Sequence, residues 1–226
     1  EKFLILQSNL DKEILIKQSQ HWEKIFSSKP EMFGVEASVA ATSAAKIFKE
    51  KNIKKIIELG SGQGRDTIFF AKNGFNIEAL DYSSSAVKAI INKSKEYNLE
   101  NSLNANIFDL RKKLPYESGF FDGCFSHMLY CMAFSIEEIE YLNNEVNRVL
   151  KKGGVNIFTV RNMSDGDYKN GTHIGQDLYE NDGFIVHFFS KDKIKRLLKG
   201  FELTDISSFN EGKFPRKLYK VTLVKK

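Results

Sequence analysis

Four histidines, two cysteines and a series of carboxylates that close apolar runs are the residues of this chain with chemistry to offer. Glu58 falls at the end of the run from Ile53 to Leu59, Asp81 closes Phe75 to Leu80, and Asp109 closes Leu103 to Phe108. A fourth run, Phe121 to Ser126, is followed by His127. An ionised carboxylate accepts two hydrogen bonds, which suits a pair of neighbouring hydroxyls. A histidine takes or orients a proton near neutrality. Just after Glu58, glycines stand at alternate positions, Gly60, Gly62 and Gly64. Glycine lets the backbone turn sharply and lets a ligand approach where a side chain would block it. The spacing is not that of a dinucleotide fingerprint, G-x-G-x-x-G, because the sixth position is Arg65.

These residues act together only on a scaffold that gathers strand ends. Buried parallel strands read as continuous apolar runs. Strand Ile53 to Leu59 leads to a helix at 65–73, ended by Asn73-Gly74. Phe75 to Leu80 follows, then a helix capped by Ser83-Ser84-Ser85 and running to about Asn98. Strands Leu103 to Phe108 and Phe121 to Ser126 precede a helix at 136–151 with Leu142, Val146, Val149 and Leu150 facing inward, and a strand from Val155 to Val160. A helix at 190–199 leads to Phe201 to Phe209 and Leu218 to Val224, close enough to pair antiparallel. Upstream, residues 10–50 read as helical with Trp22, Ile25 and Phe26 on one face, broken at Pro30 and Gly34 before a second helix from Ser38 to Glu50.

The alternation predicts an α/β protein with a Rossmann-like, doubly wound, seven-stranded sheet. It is mainly parallel with an antiparallel strand 7, with helices on both faces and an N-terminal helical extension. A single domain is expected, with residues 1–50 as a helical cap and 51–226 as the core. Residues 161–185 read as a polar, Gly-rich loop, and loops of that length commonly act as lids or binding loops.

Composition narrows the classes. A hydrophobic fraction of 42% and 19 phenylalanines among 226 residues suit one folded domain. The net charge is +5, and residues 161–226 carry thirteen Lys and Arg against nine Asp and Glu. The basic residues are scattered without an arginine-rich run, so they read as a solvated surface, and nucleic acid is disfavoured as a partner. No apolar run has the roughly 20 residues of a membrane span. The start, Glu1 to Gln7, lacks the features of a signal peptide, and two cysteines make no disulfide framework. A cytoplasmic protein is expected, monomeric or homodimeric, with no metal ion and no membrane partner.

The run Glu58-Leu59-Gly60-Ser61-Gly62-Gln63-Gly64 resembles motif I of the class I S-adenosylmethionine-dependent methyltransferases. With Asp81, Asp109 and Ser126 at later strand ends, the resemblance covers residues 50–226. His21-Trp22-Glu23, the GQGRD run at 62–66 and His187-Phe188-Phe189-Ser190 are similar to the small-molecule methyltransferases of the tellurite-resistance and thiopurine kind, within the type 11/12 methyltransferase domains. The resemblance implies S-adenosyl-L-methionine as methyl donor, S-adenosyl-L-homocysteine as product, and in-line displacement onto a small-molecule acceptor. It implies that the glycine turn, Gly60, Ser61, Gly62 and Gly64, holds the methionine part, and that Glu58 accepts from its amino group. Asp81 takes the ribose hydroxyls, Tyr82 lies on the adenine, and Phe108 and Asp109 serve the adenine edge. Ser126 lines the cofactor and Trp22 covers it.

His127 leads the catalytic candidates, with Tyr130 and His187 beside it and Arg161 and His173 also facing the acceptor. Arg161, Arg216 and Lys217 suit an anionic group on that acceptor. No N-P-P-Y or D-P-P-Y tetrapeptide follows the fourth strand, which weighs against methylation of DNA bases or glutamine. The alternatives are an RNA methyltransferase, a non-catalytic sensor that binds the cofactor, and metalloid methylation with Cys124 and Cys131 holding a soft acceptor.

Overall fold

The computed structural model describes residues 12–212 and 216–226, so the helix expected from residue 10 and the cap expected from residue 1 lie partly outside the described residues. Two helices come first, α1 (Lys12–Ser28) and α2 (Val39–Glu50). Then strands and helices alternate: β1 (Lys55–Leu59), α3 (Arg65–Lys72), β2 (Asn76–Asp81), α4 (Ser84–Glu96), β3 (Leu103–Ile107), β4 (Phe121–His127), α5 (Ile136–Val149) and β5 (Leu150–Arg161). After three short strands come α6 (Lys191–Lys195), a 3-10 turn at Arg196–Leu198, β9 (Phe201–Glu211) and β10 (Arg216–Lys225).

The main sheet has seven strands in the order β3-β2-β1-β4-β5-β10-β9. β10 runs antiparallel to both neighbours, β5 and β9, and β1 to β5 pair with one another in parallel. The strand order reverses between β1 and β4, and in open α/β sheets a crevice forms at the strands' carboxyl ends at that point. Both faces of the sheet are covered because successive strand residues point to opposite sides. Ile56, Phe125 and Ile157 pack under α2, α3 and α4, while their neighbours Ile57, Cys124 and Phe158 pack under α5 and α6. That double burial is why these strands read as unbroken apolar runs.

Serines start four of the helices: the Ser38, Ser83, Ser135 and Ser190 side chains accept from the N–H of Ala41, Ala86, Glu138 and Lys193. At Ser135 the bond is reciprocal, with Glu138 reaching back to the Ser135 N–H at 2.9 Å.

The expected loop at 161–185 is instead a second sheet over much of its length. β6 (Thr172–Gly175), β7 (Leu178–Asn181) and β8 (Phe184–His187) form an antiparallel meander. Two-residue turns join them, and both central residues of each turn have positive φ: Gln176 (53°) with Asp177 (67°), and Asp182 (51°) with Gly183 (82°). That is the type I′ pattern, whose twist matches that of the paired strands. Strands of four residues in a polar segment carry too little periodicity to announce themselves, but Asp182-Gly183 is a hairpin signal.

Candidate active site

A cleft of about 1060 Å³, counted to its open mouth, lies over the carboxyl ends of β1, β2 and β4. Its floor is the turn Gly60 to Asp66 with Glu58, Asp81 and Tyr82. One wall is His127, Met128, Leu129, Met132, Ala133 and Phe134, with Arg111 beside it. The roof comes from the N-terminal extension: Gln18, Ser19, Trp22, Phe26, Phe33 and Gly34.

The glycine turn is built for packing as much as for a ligand. Gly60, Gly62 and Gly64 all have positive φ (69°, 51° and 84°). A Cβ on Gly60 would stand 2.7 Å from Leu129 Cδ1, and one on Gly64 would stand 2.5 Å from Ile90 Cγ1. Real Cβ atoms do not approach that closely, so these two positions are closed to side chains by the protein itself. No side chain caps α3, which starts directly from Gly64. An uncapped helix N-terminus is a natural place for an anionic group.

Asp81 is buried, and its oxygens accept from the Gly62 N–H (2.8 Å) and the Ser83 N–H (2.9 Å). Burial outweighs those bonds and pushes its carboxyl up to about 6. Glu58 accepts from the Thr67 hydroxyl at 2.6 Å. Burial first, and the nearby Asp66 second, hold Glu58 well above the usual carboxylate range.

The roof is locked to the floor by polar side chains of the GQGRD run. Gln63 accepts from the Met32 N–H (2.9 Å) and donates to the carbonyls of Phe26 (3.1 Å) and Lys29 (3.0 Å). Arg65 donates to the Phe33 carbonyl at 3.0 Å. Asp66 accepts from both the N–H (2.7 Å) and the hydroxyl (2.8 Å) of Ser38. From the roof side, Glu23 accepts from the Ser83 and Ser84 hydroxyls (2.6 and 3.2 Å) and that of Ser85 at the start of α4, and these bonds hold its carboxyl at about 2. On the other flank, Gln18 donates to the Gly183 carbonyl (2.7 Å) and accepts from the Ile185 N–H, which fastens α1 to the β7–β8 turn. Trp22 lies 5.3 Å from Phe26 and 5.3 Å from Phe184, ring centre to ring centre. Such aromatic pairs contribute roughly 0.5–1.5 kcal/mol each beyond their burial.

His127 closes β4 and faces the cleft, but its ring nitrogens turn to the protein. Nδ1 is 2.9 Å from Thr159 Oγ1, and Nε2 is 3.2 Å from Glu211 Oε2. The second contact has an ion pair's distance without the angle of a hydrogen bond, so both of its atoms are buried without a hydrogen-bond partner. Glu211 also binds Arg65 at 2.9 Å. Burial pushes the Glu211 carboxyl up, but His127 and Arg65 prevail and hold it at about 2. Met128, the next residue, sits at φ 57° with its N–H on Thr159 Oγ1 at 2.8 Å. A non-glycine residue in that region costs on the order of 1–3 kcal/mol and is held by its surroundings.

Several expected residues lie elsewhere. Tyr130 is fully buried, its ring 4.7 Å from that of Phe158 and its hydroxyl on Asn143 at 3.3 Å, because the turn after β4 points it into the core. His187 is fully buried too. Its Nδ1 donates to the Phe134 carbonyl and its Nε2 accepts from Lys193 Nζ, both at 2.9 Å. Burial first, then the Lys193 charge, lower its pKa to about 4. Phe108 gives its N–H to the Asp81 carbonyl and packs its ring on the core, outside the cleft lining. The Asp109 carboxylate, also outside it, accepts from the Arg111 N–H at 3.1 Å. Ser126 is buried beneath the strand end, with its hydroxyl unpartnered.

Arg161 is tied to Asp165 and Asp167, and His173 lies against Tyr179, ring centres 4.8 Å apart. Neither lines the cleft, nor do Arg216 and Lys217. Cys124 and Cys131 are both buried and free. Burial pushes both thiols up, Cys131 to about 11, the opposite of what a thiolate acceptor site needs. Arg111, Gln63, Asp66 and Glu211 are the side chains that sequence reasoning passed over. Only the GQGRD run carried a signal for any of them.

Residues 56–154 match the family model of a methyltransferase domain. The fold around that match is one shared with solved S-adenosylmethionine-dependent methyltransferases. Among solved structures, the chain is similar to the 1,6-didemethyltoxoflavin-N1-methyltransferase of Burkholderia thailandensis, crystallised with 1,6-didemethyltoxoflavin and S-adenosylhomocysteine. The TM-score is 0.75 at 16% identity, over 96% of this chain and 91% of that one. It is also similar to TehB from Haemophilus influenzae, with a TM-score of 0.66 at 18% identity over 91% and 67% of the two chains. The magnesium protoporphyrin IX methyltransferase of Synechocystis, with bound S-adenosylmethionine, gives 0.62 at 14% identity over 82% and 78%. No curated protein matches the chain. Two of these solved neighbours hold S-adenosylhomocysteine or S-adenosylmethionine, and the residues lining this cleft are of a kind that suits such a ligand. The cleft offers two buried carboxylates, an uncapped helix start and the buried, unpartnered hydroxyl of Ser61. Among the described residues no helix is long and apolar enough to cross a membrane.

Proposed function

We propose that this chain methylates a small-molecule acceptor held in the cleft between the strand ends and the N-terminal helical roof. The observation that supports this most is the roof's attachment. Gln63, Arg65, Asp66 and Glu23 fix it to the floor, so the cleft is bounded on two sides and suits a small acceptor. Bound there, the cofactor supplies an electrophilic methyl group on a sulfonium. In this reading Asp81 accepts from the ribose hydroxyls, Glu58 from the amino group, and the turn Gly60 to Gly64 takes the carboxylate end at the start of α3. Tyr82 lies against the adenine, and Trp22 covers the cofactor from the roof and excludes water. Orientation of the two reactants is the main contribution of these residues, a term that reaches roughly 7–11 kcal/mol where the geometry is ideal. His127 forms part of the acceptor wall.

An acceptor screen with methyl-labelled cofactor tests this. Label transferred to low-molecular-weight acceptors is the expected result. Label found only in RNA, or cofactor bound with no transfer to any acceptor, overturns the reading.

A further inference from the structure

The cleft holds seven titratable side chains: Glu58, Arg65, Asp66, Asp81, Tyr82, Arg111 and His127. A general base needs a free lone pair within reach of the acceptor's proton. His127 is the natural candidate, and its hydrogen bonds decide its state. Thr159 Oγ1 accepts from the Met128 N–H, which leaves its own hydrogen to give. The Glu211 carboxylate, 3.2 Å from Nε2, places a ring proton on that nitrogen, and Nδ1 is taken up by the Thr159 hydroxyl 2.9 Å away. Charged Arg65 stands on the far side of Glu211, at 2.9 Å, and keeps that carboxylate occupied. The imidazole therefore meets the cleft with neither lone pair free. Asp66 spends both oxygens on Ser38, and Arg65 and Arg111 are cations bound to Glu211 and Glu138. Glu58, Asp81 and Tyr82 belong to the cofactor in the function proposed above, on which this inference rests.

We infer that the acceptor is a molecule whose nucleophilic atom already carries a free lone pair at working pH, such as a thiolate or a heteroaromatic nitrogen, and that no side chain among the described residues removes its proton. The step then balances without a base. The acceptor's lone pair forms the new bond to the methyl carbon, the carbon–sulfur bond pair stays on sulfur, and the product is one unit more positive than the acceptor. Aliphatic alcohols, which need a proton removed, fall outside the class.

The test uses the full chain, S-adenosylmethionine, and two acceptor series of graded pKa, substituted thiophenols and substituted imidazoles. The pH dependence of kcat/KM is measured for wild type and His127→Gln. The expected result is a half-maximal pH that follows each acceptor's own pKa, in both proteins, whatever the substitution does to the absolute rate. A half-maximal pH that stays fixed across the series and disappears in His127→Gln overturns the inference, as does efficient methylation of an aliphatic alcohol. Transfer to no acceptor, with calorimetry showing that the cofactor binds, overturns the proposed function itself and carries this inference down with it.

Discussion

Asp66 holds Ser38 at two points, one oxygen on the backbone N–H at 2.7 Å and the other on the hydroxyl at 2.8 Å, and both residues are buried. Ser38 is in turn the cap of α2, so one carboxylate in the glycine-turn run fixes where the N-terminal extension enters the domain. Asp66→Ala leaves a buried N–H without its acceptor, which costs about 1–3 kcal/mol. In a domain of this size each kcal/mol moves Tm by roughly 2–4 °C. Scanning calorimetry on the variant is expected to show that fall, and an unchanged Tm would show the pair to be energetically silent.

Cofactor binding is expected to depend on pH with a definite sign. Asp81 is held at about 6, so below that pH the free protein carries a proton on it that must leave before it accepts from two hydroxyls. Burial shifts Glu58 in the same direction. Affinity for S-adenosylmethionine should therefore fall as pH drops below 6, by about tenfold per unit for each proton released. Calorimetry in two buffers of different ionisation heat should report proton release, and Asp81→Ala should bind far more weakly. A pH-independent affinity between 5 and 8 would rule out the ionised pair as the ligand. For the free protein the sign reverses. The raised Asp81 value adds stability below the unfolded carboxylate range and loses it as pH rises through about 6.

His187 gives a stability prediction of the other sign. Its folded value, about 4, lies below the usual 6.5, so the unfolded chain binds the extra proton first. The contribution is intact above 6.5 and is lost as pH falls toward 4, by up to about 3 kcal/mol. His187→Gln keeps a donor for Phe134 and an acceptor for Lys193 but does not titrate. The wild type's advantage over it in urea unfolding should shrink steadily from pH 7 to pH 4.5. A constant difference would mean that the ring does not resist protonation.

Much of this was legible in the chain, for physical reasons. The sheet was readable because its strands are buried on both faces, as Ile56 with Ile57 and Cys124 with Phe125 demonstrate, and double burial leaves no polar interruption. The carboxylates over the cleft were readable because each one interrupts such a run at its end. Tyr130 and His187 were misplaced because proximity to a strand end in sequence does not set direction. The turn after β4 sends Tyr130 onto Phe158, and β8 sends His187 under Phe134. Glu211 was invisible because its partners, His127 and Arg65, lie 84 and 146 residues away in the chain, and only the folded sheet brings them together.

The β7–β8 turn, missed in the sequence, yields the last prediction. Gly183 sits at φ 82°, its carbonyl accepts from Gln18 in the roof, and a Cβ there would stand 3.1 Å from His21 Cε1. Gly183→Ala thus combines backbone strain of about 1–2 kcal/mol with pressure on the roof helix. Gly119 supplies the control, since it has a similar φ of 68° and nothing within 4 Å of a Cβ. Both variants should lose comparable stability from the backbone alone. Only Gly183→Ala should also weaken S-adenosylmethionine binding, because only there does the new methyl press on the helix that carries Gln18 and Trp22 over the cleft. Equal cofactor affinities in the two variants would show that the second sheet does not hold the roof in place.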